Sequence, residues 1–192
     1  MAKKESTFIN MTSTLLVISL VASAALAGVY NLTKEPIAAA ARAKKENAIR
    51  NVIPPFDHLV RYAVMPDDGP DSLGFYQGMK GDSVTGTAVE TYSNNGFSGY
   101  IGLMVGFAAD GSIMNIEVLD HKETPGLGTK MADSVFKDQF KNLKIGDLPG
   151  QTLKVKKDMG TIDAITAATI SSRAFCDAVQ RAYQTKEKGG KP

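Results

Sequence analysis

Asp163-Ala164-Ile165-Thr166-Ala167-Ala168-Thr169-Ile170-Ser171-Ser172 is a run of small and hydroxylated residues set directly ahead of a helical pattern. Phe175, Ala178, Val179 and Ala182 fall at helical spacing within residues 172–183, so Thr169, Ser171 and Ser172 cluster where the first turn begins. A helix start leaves its first amides without intrahelical acceptors and carries the positive end of the helix dipole. Small neighbours let an anion such as phosphate come close to the backbone, and the physics of the segment specifies no more than an anion. On spacing alone the hydroxyls read first as ordinary N-caps, the role Ser and Thr most often fill ahead of an amphipathic helix.

A second segment, His121-Lys122-Glu123-Thr124-Pro125-Gly126-Leu127-Gly128, follows an apolar stretch at residues 113–119 that reads as a strand. Thr-Pro-Gly turns the chain, and two glycines leave little side-chain bulk. Residues 130–140 then read as a helix with Met131, Val135, Phe136 and Phe140 on one side. By itself this is a strand-to-helix loop; around a ligand it offers backbone groups, the apolar Leu127, and the carboxylate and hydroxyl of Glu123 and Thr124.

Together the two segments resemble a known family. Asp163-x-x-Thr166-Ala167-Ala168-Thr169 is similar to the Asp-x-x-(Ser/Thr)-Gly-Ala-Thr acceptor motif of proteins that carry flavin mononucleotide on threonine, and residues 121–128 match the His-x-Glu-Thr-Pro-Gly-Leu-Gly signature of the same family. The resemblance is to the G subunits of Rnf electron-transport complexes, with the C subunit of the sodium-translocating NADH:quinone reductase a more distant cousin. It implies FMN joined through its phosphate to Thr169 by a flavin transferase. Asp163 and Thr166 would then belong to the recognition and phosphate end, Ala167, Ala168 and Ser171 would line it, and Glu123, Thr124, Leu127 and Gly128 would face the ring or ribityl chain. It further implies electron relay between reduced ferredoxin and NAD coupled to Na+ or H+ movement, with partner subunits holding iron–sulfur centres and other flavins. One position departs from the motif: Ala167 stands where glycine is usual, which would strain the backbone if φ is positive there.

The 192 residues leave room for one domain of about 150 residues once an N-terminal segment is set aside. A formal net charge of +2, without a basic stripe interleaved with aromatics, argues against nucleic acid. Trp is absent, so the core rests on aliphatic residues with eight Phe and six Tyr. The single cysteine, Cys176, excludes an internal disulfide and reads as a packed residue of the last helix. His58 and His121 are the only histidines and lack metal-ligand spacing, so no metal site is expected.

Residues 8–32 carry no charge and are long enough to span a bilayer, which needs about 20 apolar residues. Lys3 and Lys4 ahead of the run and Ala25-Leu26-Ala27 within it leave a cleaved signal peptide as the rival reading. Residues 1–7 are expected in the cytoplasm. The family implies an uncleaved anchor in the cytoplasmic membrane and a flavin domain on its outer side, whereas Lys34, Arg42, Lys44, Lys45 and Arg50 weaken the charge bias. Pro36 fits a helix start, and residues 33–55 read as a helical stalk ended by Pro54 and Pro55.

Beyond the stalk, residues 56–185 read as an α+β domain, an antiparallel sheet packed with helices. Residues 75–79 and 83–92 form a hairpin, Asn94-Asn95-Gly96 reverses the chain, and residues 152–155 form a short strand. Residues 100–107 alternate Ile101, Leu103, Val105 and Phe107 against Gly102, Met104 and Gly106, a strand with one bulky and one nearly bare face where a helix or ligand could lie close. Lys156, Lys157 and Asp158 read as solvent-facing, with room for one lysine to approach the flavin or its phosphate. Residues 186–192 read as a disordered tail. Rival functions are the quinone-reductase C subunit, a membrane-anchored assembly module without flavin, and an exported flavin reductase acting alone.

Overall fold

The computed structural model describes residues 7–189. The chain divides into two compact units, Met1–Ala43 and Lys44–Pro192. Helix α1, Phe8–Val52, supplies nearly all of the described first unit, and its last turns belong to the second. Its apolar part is long and hydrophobic enough to cross a membrane, by length and composition. Pro36 lies inside the helix rather than starting one, because neighbouring turns hold the backbone on both sides. Lys3 and Lys4 fall outside the described residues.

The second unit is built on a five-stranded antiparallel meander, β1 (His58–Val64), β2 (Leu73–Lys80), β3 (Ser83–Gly96), β4 (Gly99–Phe107) and β5 (Ile113–His121), in spatial order of sequence. Strand β1 has no counterpart among the sequence expectations; it is an edge strand whose residues are all at least partly exposed, so its apolar alternation is weak. The β3–β4 reversal comes at Phe97 and Ser98, just after the Asn-Asn-Gly signal, because β3 pairs irregularly between Ser93 and Gly96.

The alternation in β4 decides what packs on each side. Ile101, Leu103, Val105 and Phe107 are fully buried in the main core with Phe75, Val89 and Ile116. Helix α3 (Thr169–Gly189) covers that face with Ala174, Phe175, Ala178, Val179 and Ala182. Phe175 meets Phe136 and Phe140 at ring separations of 5.1 and 5.0 Å; burying each such ring contributes about 1.5–3 kcal/mol. Thr91 donates to the Ala178 carbonyl at 2.9 Å, Ser93 donates to Asp177 at 2.6 Å, and the buried Arg181 guanidinium reaches the Tyr92 carbonyl and Asp68.

The bare face takes the end of α1. Ala48, Ile49, Val52 and Ile53 pack on Ala88 and Met104. A Cβ at Gly106 would overlap the Val52 carbonyl, and one at Gly78 would stand 2.9 Å from Ile53. Lys44 donates to the Leu119 carbonyl at 2.6 Å and Lys45 pairs with Glu90 at 2.8 Å, so these two basic residues are engaged by the sheet.

Three local expectations are corrected. The helix over 130–140 is a broken chain of turns, with 3-10 turns at Gly128–Ala132 and Asp138–Phe140 around a short α2 (Ser134–Lys137). The bend still buries Met131, Phe136 and Phe140 but leaves Val135 87% exposed. The strand over 152–155 reduces to one parallel bridge, Val155 to Ile162. Helix α3 continues through Gly189, so the first part of the expected tail is helical; residues 190–192 lie outside the described set.

Replacing Gly106 with alanine is expected to destabilise the domain by about 3 kcal/mol, since backbone rather than a yielding side chain blocks the new methyl. Urea denaturation checks this, and an unchanged midpoint would mean the α1 end is not seated on the sheet.

Candidate functional site

Glu123 gathers the site. It is 5% exposed, just beyond β5; its Oε1 accepts the Ser98 amide from the β3–β4 turn at 2.9 Å, and its Oε2 accepts the Ser171 hydroxyl from α3 at 2.6 Å. One carboxylate thereby ties three distant segments together. Glycine is required on both sides of it: a Cβ at Gly128 would lie 2.5 Å from Oε2, and one at Gly96 would lie 2.7 Å from Oε1. The intervening turn is closed by the Gly126 amide donating to Thr129 Oγ1 at 2.9 Å and the Leu127 amide donating to the Thr124 carbonyl at 3.2 Å, with Gly126 at φ +76°.

These contacts open a cleft of about 300 Å³ lined by Phe97, Glu123, Thr124, Leu127, Gly128, Ala167, Ala168, Thr169, Ile170 and Ser171. Eight of the ten residues singled out in the sequence line it. Asp163 and Thr166 do not; they line a separate hollow of about 370 Å³ with Lys130, Phe136 and Gln139. Both precede the left-handed turn at Ala167, after which the chain enters the cleft wall. Asp163 is held outward by Lys156 at 2.7 Å, and its amide donates to Gln139 Oε1 at 2.7 Å.

Phe97 and Ile170 went unnoticed in the sequence, although each is an isolated bulky apolar residue among polar or small neighbours. Phe97, Leu127 and Ile170 are 68%, 41% and 46% exposed around one cleft, an apolar rim suited to a flat ring.

Thr169 is the first residue of α3, half-buried at the edge of the cleft. The first i-to-i−4 amide bond of the helix runs from Ser172 to Ala168 at 3.0 Å, so the amides of Thr169, Ile170 and Ser171 precede the ladder. The expected capping by Ser171 and Ser172 takes another form. Ser171 serves Glu123, while the Ser172 hydroxyl accepts the Ile165 amide at 2.9 Å and donates to the Ala168 carbonyl at 2.9 Å, fixing the approach to the helix. Ala167 has φ +62°, the left-handed conformation that strains an alanine where the motif usually has glycine. Lys157 Nζ donates to Thr169 Oγ1 at 3.1 Å.

Cys176, one turn beyond Ser172, is buried, and burial followed by the charges of Asp158 and Asp177 pushes its thiol up to about 12. It is a packed, protonated thiol at neutral pH.

The arrangement fits a phosphate at one end and a flat apolar group at the other, and known proteins of similar sequence point to a ligand of that shape. The family model of the FMN-binding domain matches residues 96–184. The G subunit of the ion-translocating oxidoreductase complex of Haemophilus influenzae is 33% identical over 85% of this chain and 83% of that protein. The corresponding subunit from Aliivibrio fischeri is 33% identical over 93% of each, and that from Methanosarcina acetivorans is 33% identical over 92% of this chain and 94% of its own. This chain belongs to the family of ion-translocating oxidoreductase complex G subunits. A crystal structure of NqrC from Shewanella oneidensis is 20% identical over 64% of this chain and 61% of that one, with a TM-score of 0.47. In this family member the FMN-binding match begins at the end of β3 and takes in both cleft segments.

Two substitutions test this geometry by chemical denaturation. Glu123→Ala, which orphans the Ser98 amide and the Ser171 hydroxyl, is expected to cost about 3 kcal/mol. Ala167→Gly is expected to gain about 0.5–1 kcal/mol, the relief of a left-handed alanine exceeding the added chain entropy.

Proposed function

We propose that this chain is the membrane-anchored FMN-carrying subunit of an Rnf-type complex, with the flavin joined through its phosphate to Oγ1 of Thr169. The observation that carries the reading is the placement of Thr169: its half-buried side chain stands where an apolar-rimmed cleft meets the unladdered amides of α3. Those amides and the helix dipole suit the phosphate, and Phe97, Leu127 and Ile170 suit the ring. Glu123 and Gly128 hold the wall between them at close packing.

FMN would supply the redox chemistry, relaying electrons between ferredoxin-linked and NAD-linked partners while the complex moves Na+ or H+. This chain's residues bind, orient and tether; turnover belongs to the assembled subunits, including those with iron–sulfur centres and further flavins. A tether suits a domain on the outer side of the cytoplasmic membrane, where a lost cofactor would not readily be replaced. Residues 8–32 are the single span of that arrangement, with the N-terminus cytoplasmic. Asp163 and Thr166, in the neighbouring hollow, belong to recognition by the flavin transferase rather than to the cleft.

Intact mass of the protein isolated with its membrane complex should exceed the sequence mass by one FMN less one water. Thr169→Ala should remain folded and membrane-bound with the unmodified mass. Flavin fluorescence retained by that variant in a denaturing gel would overturn the assignment.

A further inference from the structure

Lys157 lies in a turn whose placement is fixed by contacts remote from its own side chain. The amides of Asp158 and Gly160 both donate to the Val155 carbonyl, at 2.8 and 3.1 Å, and the Lys156 amide donates to the Ile162 carbonyl at 2.7 Å. A Cβ at Gly160 would overlap the Lys154 carbonyl, so the turn closes only on glycine. Arg173 of α3 then locks the turn to the helix through both oxygens of Asp158, at 2.7 Å each. That fork holds the Asp158 carboxyl below the usual carboxylate range, so it stays ionised until pH falls through the lowered value.

The basic side chains here are not equivalent. Lys156 is paired with Asp163 and Arg173 with Asp158, whereas Lys157 spends its hydrogen bond on the neutral hydroxyl of Thr169. A hydroxyl is a weak partner for an ammonium group, and a phosphate ester on the same oxygen would be a strong one.

We infer that Lys157 is the positioning residue and counter-charge for the phosphoryl group at Thr169, with Asp158 and Arg173 holding it there. This rests on the reading of Thr169 as the flavin-bearing residue. The step it assists forms the bond from Thr169 Oγ1 to the phosphorus of an activated flavin phosphate, a pyrophosphate ester. The bond from phosphorus to the bridging oxygen breaks, the nucleoside monophosphate leaves with the electron pair, and the hydroxyl proton passes to a base of the transferase or to water. The ammonium group faces charge that grows on the phosphoryl oxygens, and it remains as their partner in the diester.

The test follows mass gain of the full-length protein in detergent with flavin transferase and flavin adenine dinucleotide. Lys157→Met should be modified at least about tenfold more slowly than the parent, the loss expected for a charge-assisted contact, and Lys157→Arg should stay within about threefold. Raising the salt should narrow the gap between Lys157→Met and the parent by screening an exposed charge. Lys157 is exposed, so both variants should keep the parent melting temperature. Modification of Lys157→Met at the parent rate, or of Lys157→Arg as slowly as Lys157→Met, would overturn the inference while leaving Thr169 in place. A parent protein that gains no mass would overturn the reading of Thr169 and this inference with it.

Discussion

The cleft depends on one buried carboxylate. Glu123 accepts a backbone amide from one loop and a side-chain hydroxyl from the start of a helix far along the chain, the first bond partly and the second fully buried. Such groups are costly to leave unpaired, so each of the three segments is held by the penalty of separating it from the others. The two glycines pressed against the carboxylate follow from this. Side chains at Gly96 or Gly128 would push the loops apart and widen the cleft that the apolar rim surrounds.

The sheet lets that site be held from behind. With bulky residues on one face of β4, α3 can bury its apolar stripe while its first turn reaches Glu123. With glycines and Ala88 on the other, the last turns of α1 come down to backbone contact. The sheet is thus sandwiched between the helix that starts at the cleft and the end of the helix whose apolar part is long enough for a membrane. For an electron carrier this is a useful constraint, because transfer between centres is governed by how closely and reproducibly the protein positions its cofactor.

Strain and charge concentrate at the same few residues. Ala167 is left-handed without being glycine, Lys157 faces a hydroxyl, and the amides ahead of Ser172 stand outside the helix ladder. Each is mildly unfavourable by itself, and all three lie around Thr169. Features of this kind persist where the surroundings impose them, here through the Ser172 bonds to Ile165 and Ala168 and the Arg173 fork to Asp158.

The amino-acid sequence by itself determined the local chemistry. It carried the apolar N-terminal helix, the alternation that gives β4 two unlike faces, and the two motif segments with eight of the residues that line the cleft. The helix and the strand were legible because they rest on short-range periodicity and composition, and the cleft residues because two short contiguous segments resemble the motifs of a known family. Tertiary structure decided what short-range pattern does not encode. It sent Asp163 and Thr166 to a neighbouring hollow, broke the 130–140 helix so that its three buried residues could reach one core, and added β1 as an edge strand. It also brought Phe97 and Lys157 to Thr169 and set the neighbouring Ile170 in the cleft wall, because the first two positions depend on contacts between separate segments, which only the closed fold brings within reach.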